Sequence, residues 1–229
     1  PEEIIETMDG AGISQSIVFA MSTTSEKASE TARKAVDKFP DRLIPYLYAL
    51  PHYEKAVLPL LEKGVREDGF KGIKLHAGEA RLAPYIIDPV LAMAGECGVP
   101  RLIDFIGRFE TAERITERFE RTNVIIAHMG KYLCRDPELI DLFIGLAERR
   151  ANVYLDVSGV VMTEKITEAA KRVGTRRLIF GTDGPQESPD RISFAKKEIK
   201  KILDLPLTQK EKEEILSGTI TVLINLVNS

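Results

Sequence analysis

The chain has 229 residues, of which 44% are apolar and 29% are charged, and its formal net charge is −3 at pH 7. This composition is typical of a soluble globular protein and provides no basic excess that would hold nucleic acid or an anionic membrane. No apolar stretch approaches the roughly 20 residues that span a bilayer, and the acidic N-terminus does not resemble a signal peptide, so we expect a cytoplasmic protein.

The spacing of the cysteines and the low content of Asn and Gln lead to two further expectations. Cys97 and Cys134 lack CxxC spacing, which indicates free thiols without a chemical role. Asn and Gln are scarce, whereas Glu, Lys and Arg are abundant. Because this bias avoids heat-labile amides and favours surface ion pairs, we expect a thermophilic source.

Apolar runs with the character of buried strands alternate with amphipathic helical segments along the chain. Seven runs predict strands, at residues 15–20, 43–50, 72–76, 101–106, 123–128, 152–158 and 177–183. Segments such as SEKASETARKAVDKF and PELIDLFIGLAERR repeat apolar residues every three to four positions and predict the intervening helices. No linker or change in composition divides the chain, so we predict a single domain over residues 1–229.

The final segment, residues 208–227, predicts a helix. Thr208 is suited to be its N-cap, and acidic residues follow in the first turn. The second half of the segment is apolar enough to pack against a sheet.

Strands that alternate with helices predict either an open doubly wound sheet or a (β/α)8 barrel. Polar residues at the strand ends favour the barrel, because the carboxyl ends of its strands meet at one mouth. Period-two alternation within each strand would turn these side chains to the interior, where we expect His76, His128 and Asp183 to line the largest cavity. Six strands end in such residues: Tyr48, Lys74 and His76, Asp104, His128, Asp156 and Ser158, and Asp183.

Five motifs stand out: MDGAGI (8–13), GFKGIKLHAGEARLAPYIIDPVLAMAGECGVP (69–100), NVIIAHMGK (123–131), NVYLDVSG (152–159) and RLIFGTDGP (177–185). With these motifs the chain resembles the amidohydrolase-related family of metal-dependent hydrolases, in the branch that includes aminocarboxymuconate semialdehyde decarboxylase. The resemblance covers residues from about 1 to 226 and implies a TIM barrel.

Members of this family hold a divalent ion, usually zinc, between a His-x-His pair on the first strand, a histidine ending the fifth and an aspartate ending the eighth. A histidine ending the sixth strand polarises the substrate or assists the metal. The resemblance therefore implies that Asp183 is the eighth-strand ligand and that His128 is the sixth-strand histidine. Asp104 occupies the place of the fifth-strand histidine. The sequence begins at the helix that follows the first strand, so we expect a barrel whose first strand is missing from it.

Three explanations of this ligand pattern stay open. In the first, an N-terminal segment is absent from the sequence, and Asp104 binds a divalent metal, usually zinc, together with His128 and Asp183. In the second, the chain is an engineered or degenerate metal-free variant in which His128 works with Asp104 and Asp183 in acid–base or nucleophilic hydrolysis; a Ser158–His128–Asp104 set is conceivable. In the third, the barrel binds a small molecule without catalysis.

The resemblance implies hydrolysis of a small carboxylate, amide, ester or lactone substrate, or a related decarboxylation, by a metal-activated water. The candidate catalytic residues are also the candidate metal ligands, namely His128, Asp183 and Asp104. The candidate substrate-binding residues are Lys74, His76, Tyr48 and Ser158.

For Lys74 an ion pair with Asp104 or Asp156 inside the barrel is the alternative to a contact with the substrate. Four loops would set specificity, at residues 77–86, 107–110, 131–137 and 184–191. The expected partner is a small molecule, and the sequence is compatible with a homo-oligomer.

Overall fold

A computed structural model of the protein describes residues 1–52, 57–186 and 189–225. Its strands are all parallel; β1 pairs with β2, and β3 to β8 form one sheet in chain order. The predicted order of the strands is therefore confirmed. Their bounds are Ser16–Val18 (β1), Leu43–Pro45 (β2), Leu47–Tyr48 (β3), Ile73–His76 (β4), Arg101–Asp104 (β5), Val124–Ile126 (β6), Val153–Asp156 (β7) and Leu178–Ile179 (β8).

The run predicted as one strand at residues 43–50 is divided at Tyr46 into β2 and β3. The ladder continues through this residue, because the Tyr46 N–H donates to the Val18 carbonyl oxygen at 2.9 Å. The next N–H, that of Leu47, donates to the Gly72 carbonyl oxygen, also at 2.9 Å. The run thereby links β1 to β4, and the strands form seven consecutive positions of a (β/α)8 barrel.

Six of the seven predicted strands end two to four residues earlier than the sequence indicates, and only the run at 72–76 ends where predicted, at His76. Two of the shortened strands bear on the candidate site. The run at 123–128 ends at Ile126, and the run at 177–183 ends at Ile179. The residues beyond these ends include His128 and Asp183, whose φ angles of 56° and 54° are left-handed. An extended ladder cannot contain such residues, so both side chains lie on loops at the mouth.

Helices separate the strands as predicted. Several begin at side-chain caps, where Thr24, Asp136 and Asp190 accept hydrogen bonds from the first turns of α2, α6 and α8. The helices are Glu2–Ala11 (α1), Ser25–Lys38 (α2), Leu58–Arg66 (α3), Pro84–Glu96 (α4), Phe109–Arg118 (α5), Pro137–Arg149 (α6), Thr163–Val173 (α7), Arg191–Leu203 (α8), Gln209–Glu213 (α9) and Thr219–Asn225 (α10).

The predicted final helix is interrupted by a π-helical turn, Glu214–Gly218, between α9 and α10. Thr208 is its N-cap, as expected, and forms a capping box with Glu211. Leu223 of α10 packs on Ile125 and Ile179 of the sheet. The expectation of a helix packed against the sheet is thus confirmed up to residue 225, and residues 226 and 227 lie outside the described part.

The main core lies between the sheet and the surrounding helices, where Ile103, Val124 and Leu155 are completely buried. Helix α1, which precedes β1, packs against α8, which follows β8. These helices approach closely at Gly10, because a Cβ there would lie 2.7 Å from a side-chain carbon of Ile192. Within the described ranges no helix combines the length and the apolarity needed to cross a membrane.

Candidate active site at the barrel mouth

Polar side chains from β4 to β7 are buried together at the carboxyl ends of these strands. Because buried polar groups need partners, their hydrogen bonds determine which atoms are available for chemistry. The buried residues are Lys74, Asp104, His128, Asp156 and Ser158.

His76 lies directly opposite Asp104 in the β4–β5 ladder. The Gly78 N–H donates to Nδ1 of His76 at 3.0 Å, so Nδ1 carries no proton and the neutral ring is protonated at Nε2. This Nε2 lies 3.2 Å from Oδ2 of Asp104, within ion-pair distance. The other carboxylate oxygen of Asp104 accepts the Ile106 N–H at 2.8 Å. Asp104 therefore has the partners that a buried carboxylate needs.

His128 is oriented by the loop that follows β7. Its Nδ1 lies 3.0 Å from the carbonyl oxygen of Ser158, and because a carbonyl only accepts, Nδ1 carries the proton. Its Nε2 lies 3.6 Å from Oδ2 of Asp104. The neutral ring therefore presents a lone pair toward the carboxylate, and an imidazolium formed there would be stabilised by it.

Asp156 fixes the loops after β6 and β7. Its Oδ2 accepts the His128 backbone N–H at 3.0 Å and the Ser158 hydroxyl at 2.5 Å, and its Oδ1 accepts the Ser158 N–H at 3.3 Å. The Ser158 hydroxyl also lies 3.0 Å from Nδ1 of His128. Since that nitrogen already carries a proton, it cannot take one from Ser158. The contacts thus make Ser158 an orienting residue for the imidazole and not an activated nucleophile.

Non-glycine residues with left-handed backbones follow several strands at this mouth. A left-handed conformation costs an ordinary residue about 1–2 kcal/mol, and such strain is concentrated at functional sites. Carboxylates at the mouth accept the backbone N–H of three of these residues, Ser22, Ile106 and His128. The residues are Ser22, Ile106, His128, Met129 and Asp183, with φ between 47° and 57°.

Asp183 is exposed at the rim of the mouth. Protein atoms around the rim nevertheless desolvate its carboxyl group and raise its pKa, while His128 and Lys74 act in the opposite direction. Its carboxylate makes no hydrogen bond or ion pair with another residue of the described part. It is consequently available to a water molecule or a substrate.

Lys74 is 3% exposed and points into the barrel, with Nζ 5.4 Å from the centre of the Phe19 ring. Burial lowers the pKa of this amine, although nearby carboxylates oppose the shift. The ion pair that we considered with Asp104 or Asp156 is not formed, because both carboxylates act only at longer range.

Tyr48, a candidate substrate contact, donates its hydroxyl hydrogen to the carboxylate of Glu79. Glu79 also accepts the Ser22 hydroxyl at 3.0 Å and the Ser22 N–H at 3.2 Å. Desolvation alone would raise the pKa of Glu79, but these hydrogen bonds lower it overall. Sequence reasoning missed both Glu79 and Ser22; the only signal for Glu79 was its place in the predicted specificity loop 77–86.

A cavity of about 950 Å³ lies between α7 and α8, where Tyr132, Val160 and Phe194 are among its lining residues. His76, His128 and Asp183 are not among its lining residues, and that they line the largest cavity stays a prediction. Residues 187 and 188, in the predicted specificity loop 184–191, lie outside the described part.

The expected metal ligands do not form an ion site by themselves. Nε2 of His128 and Oδ2 of Asp104 face each other, but Asp183 stands at the exposed rim. In the described ranges no three His, Cys, Asp or Glu side chains converge where one ion could bind. The residues present thus do not fit a divalent ion without additional donors.

Comparisons with known proteins identify the family. The amidohydrolase family model (Amidohydro_2) matches residues 1–225. No curated protein gives a significant match. An uncharacterised TIM-barrel protein from Bordetella bronchiseptica superposes with a TM-score of 0.81 at 19% identity, covering 100% of this chain and 83% of that one.

Two decarboxylases have the same fold. The 2,6-dihydroxybenzoate decarboxylase from Rhizobium has a TM-score of 0.76 at 17% identity, covering 97% of this chain and 87% of that one. The 5-carboxyvanillate decarboxylase from Novosphingobium aromaticivorans, complexed with manganese and 4-hydroxy-3-methoxy-5-nitrobenzoic acid, has a TM-score of 0.78 at 18% identity, covering 98% and 80%. At these identities the structures show the shared TIM-barrel fold, and the family match is decisive: this chain belongs to the amidohydrolase family.

Proposed function

We propose that this chain is an enzyme that acts on a small carboxylate-bearing molecule, either by hydrolysing an amide, ester or lactone bond or by releasing CO2. The observation that carries the proposal is the state of His128. Its Nδ1–H is fixed by the Ser158 carbonyl oxygen, and its Nε2 is left to accept a proton within 3.6 Å of Asp104. This is the arrangement of a general base whose protonated form is stabilised by a carboxylate.

In hydrolysis, His128 takes a proton from a water molecule as that water attacks the carbonyl carbon. Asp104 stabilises the imidazolium, and Asp183, at the rim with a free carboxylate, orients the water. In decarboxylation, His128 would first take up a proton from solvent at Nε2, and its imidazolium would donate this proton to the carbon that loses CO2. Lys74 lies deeper in the mouth, where the polar end of the substrate would reach it.

A divalent ion, zinc or manganese, is the second candidate for the activating group. The facing atoms His128 Nε2 and Asp104 Oδ2 would supply only two donors, so an ion here would need further ligands; the carboxyvanillate decarboxylase with the same fold is complexed with manganese. Elemental analysis of the purified chain decides this point. A stoichiometric amount of zinc or manganese that is lost in Asp104→Asn supports the ion, and a metal-free active protein rejects it.

The main test is an NMR assay of the purified protein against small carboxylates that carry an amide, ester or lactone bond and against keto and hydroxy acids. We expect one class to be consumed and His128→Gln to reduce its turnover by about 10²–10⁴-fold. Arg118→Gln, on the outer face of α5, is the control and should retain full turnover. Equal turnover by His128→Gln, or no consumption of any compound, would overturn the proposal.

A further inference from the structure

Lys74 is the buried group at the mouth that the proposed acid–base chemistry does not use. Its amine makes no hydrogen bond or ion pair with another residue of the described part, and it lies 5.4 Å from the centre of the Phe19 ring. Alternation along β4 places it on the same face as His76, which is a quarter exposed. Lys74 thus lies one layer, roughly 7 Å, below a residue that solvent reaches.

We propose that Lys74 is an imine-forming amine and that the substrate class is a β-keto acid, which the chain decarboxylates. This inference rests on the proposed function and deepens it, because it assigns the substrate and the electron-accepting group. Burial, which lowers the pKa of the amine, supports the availability of the free base that attacks a carbonyl.

The charges around Lys74 favour a covalent role over a simple anchor for a substrate carboxylate. Four carboxylates act on the amine, those of Asp104, Asp156, Asp183 and Glu79. They repel any substrate carboxylate placed among them, and a reaction that keeps this group would keep the repulsion in its product. A β-keto acid that reacts through its ketone places its carboxylate in this negative surrounding, and its departure as neutral CO2 relieves the repulsion.

The reaction begins when the amine of Lys74 adds to the ketone carbon, and loss of one water gives a protonated imine. The bond between the α-carbon and the carboxylate carbon then breaks, its electron pair moves toward the imine nitrogen, and CO2 leaves an enamine. The enamine carbon takes a proton from the imidazolium of His128. Water hydrolyses the resulting imine and releases the ketone and the free amine. In sum, a β-keto acid and one proton give a ketone and CO2.

The test is reductive trapping of the full chain with acetoacetate and sodium cyanoborohydride at about pH 6.5, where lysines with an ordinary pKa are almost fully protonated. Intact mass should show one reduced adduct, and peptide mapping should place it on Lys74. Because burial lowers the pKa of Lys74, a larger fraction of its amine is unprotonated at this pH than for an exposed lysine, and we expect Lys74 to be the main labelled lysine.

Two variants complete the experiment. Lys74→Met should abolish the adduct, and Lys34→Met, at an exposed lysine on the outer face of α2, should retain it. If the parent protein shows no label, or label spread over its surface lysines, the imine on Lys74 is rejected. This peptide mapping uses the parent protein alone, so it tests the imine even if Lys74→Met does not fold. Turnover of a carboxylate without any adduct rejects the imine but keeps the proposed function. An adduct on Lys74 without turnover of any substrate keeps the imine and rejects the function.

Discussion

The backbone N–H of His128 donates to Oδ2 of Asp156 at 3.0 Å, across the ends of β6 and β7. His128 has a left-handed backbone with φ of 56°, which the chain does not favour without support. The same carboxylate accepts both the hydroxyl and the N–H of Ser158, whose carbonyl oxygen orients the imidazole. Asp156 therefore holds both the backbone and the ring of His128.

We expect Asp156→Asn to lower the free energy of unfolding by about 2–4 kcal/mol, because an amide NH2 cannot accept the N–H and hydroxyl hydrogens that now meet the two carboxylate oxygens. Urea unfolding measures the change. Asp204→Asn is the control, since Asp204 pairs with Lys200 on the exposed surface of α8 and should change the free energy by no more than about 0.5 kcal/mol. An Asp156→Asn variant as stable as this control contradicts the assigned role.

Gly130 follows His128 and Met129 and has φ of 111°. A Cβ at this position would collide with the ring of Phe143, which is completely buried in the core. We expect Gly130→Ala to destabilise the protein by about 3 kcal/mol or more, because it combines backbone strain with overpacking.

A substitution at Gly12 measures the backbone strain without the overpacking. It ends α1 with φ of 76°, and a Cβ there meets nothing within 4 Å. Gly12→Ala should therefore show the backbone cost alone, about 1 kcal/mol. Thermal and urea unfolding of both variants provide the measurement, and equal losses would show that the contact with Phe143 is unimportant.

Tyr46 and Tyr48 lie two residues apart and differ in the partner of the hydroxyl. Tyr46 is buried, and its hydroxyl has no hydrogen-bond partner in the described part, whereas that of Tyr48 donates to Glu79. Burial raises the pKa of both phenols, so both stay protonated and must donate or remain unpaired. We expect Tyr46→Phe to raise the free energy of unfolding by about 1 kcal/mol and Tyr48→Phe to lower it by about 1–2 kcal/mol. Urea unfolding that showed the same sign for both variants would refute this distinction.

The parts of the fold that sequence predicted are those with a local signal. Strand residues that face the helices, such as Ile103 and Leu155, are completely buried. Because such positions must be apolar, each strand is visible in the sequence as an apolar run between amphipathic helices. Polar residues at the carboxyl ends of such runs could be assigned to the mouth, because the ends of parallel barrel strands meet there. Lys74, His76, Asp104 and His128 were found in this way.

The rest of the site depends on contacts that no local pattern records. Glu79 reaches Ser22 across 57 positions, and Ser22 is left-handed without being glycine. The strand predicted through Asp183 ends four residues earlier, because nothing in the run RLIFGTD announces the left-handed turn at its end. The different roles of Asp104 and Asp156 likewise follow from which donor each carboxylate oxygen meets, and these donors are far apart in the sequence.

Arg101, the first residue of β5, is completely buried, and none of its guanidinium nitrogens has a hydrogen-bond partner in the described residues. Its charge lies 5.8 Å from the centre of the Phe119 ring. Desolvation lowers the pKa of Arg101 to about 9. We expect Arg101→Met to raise the free energy of unfolding by about 1–4 kcal/mol at neutral pH, because it removes an uncompensated buried charge while keeping the apolar stem.

The lowered pKa of Arg101 predicts how the stability of the parent protein changes at alkaline pH. Below pH 9 the arginine is protonated in both the folded and the unfolded chain, so the full penalty is present. Above about pH 9 the folded chain releases the proton while the unfolded chain keeps it, so the stability of the parent protein rises with pH. The advantage of Arg101→Met in urea unfolding should therefore shrink from pH 8 to about pH 10. A difference that grew over this range would contradict a depressed pKa.

Asp104 connects the stability of the mouth to its chemistry, since it accepts the Ile106 N–H and its other oxygen faces both His76 and His128. In Asp104→Asn the amide oxygen can keep the bond to the Ile106 N–H, but the amide NH2 then meets Nε2–H of His76. The ring cannot shift that proton to Nδ1, because Nδ1 accepts the Gly78 N–H. We expect a loss of about 1–3 kcal/mol in urea unfolding and a fall in turnover of about 10²-fold, because the imidazolium of His128 loses its carboxylate.

Asp104→His and Asp104→Leu show whether the carboxylate acts through a metal. If an ion binds between His128 and residue 104, Asp104→His should keep or raise the metal content found by elemental analysis, because imidazole is also a ligand for zinc and manganese, and Asp104→Leu should abolish it. If Asp104 acts on His128 directly, both variants should be metal-free and inactive while remaining folded by circular dichroism. A carboxylate retained only for packing could be replaced without loss. An Asp104→Leu variant with increased stability and undiminished turnover would therefore show that Asp104 has no part in the chemistry of the mouth.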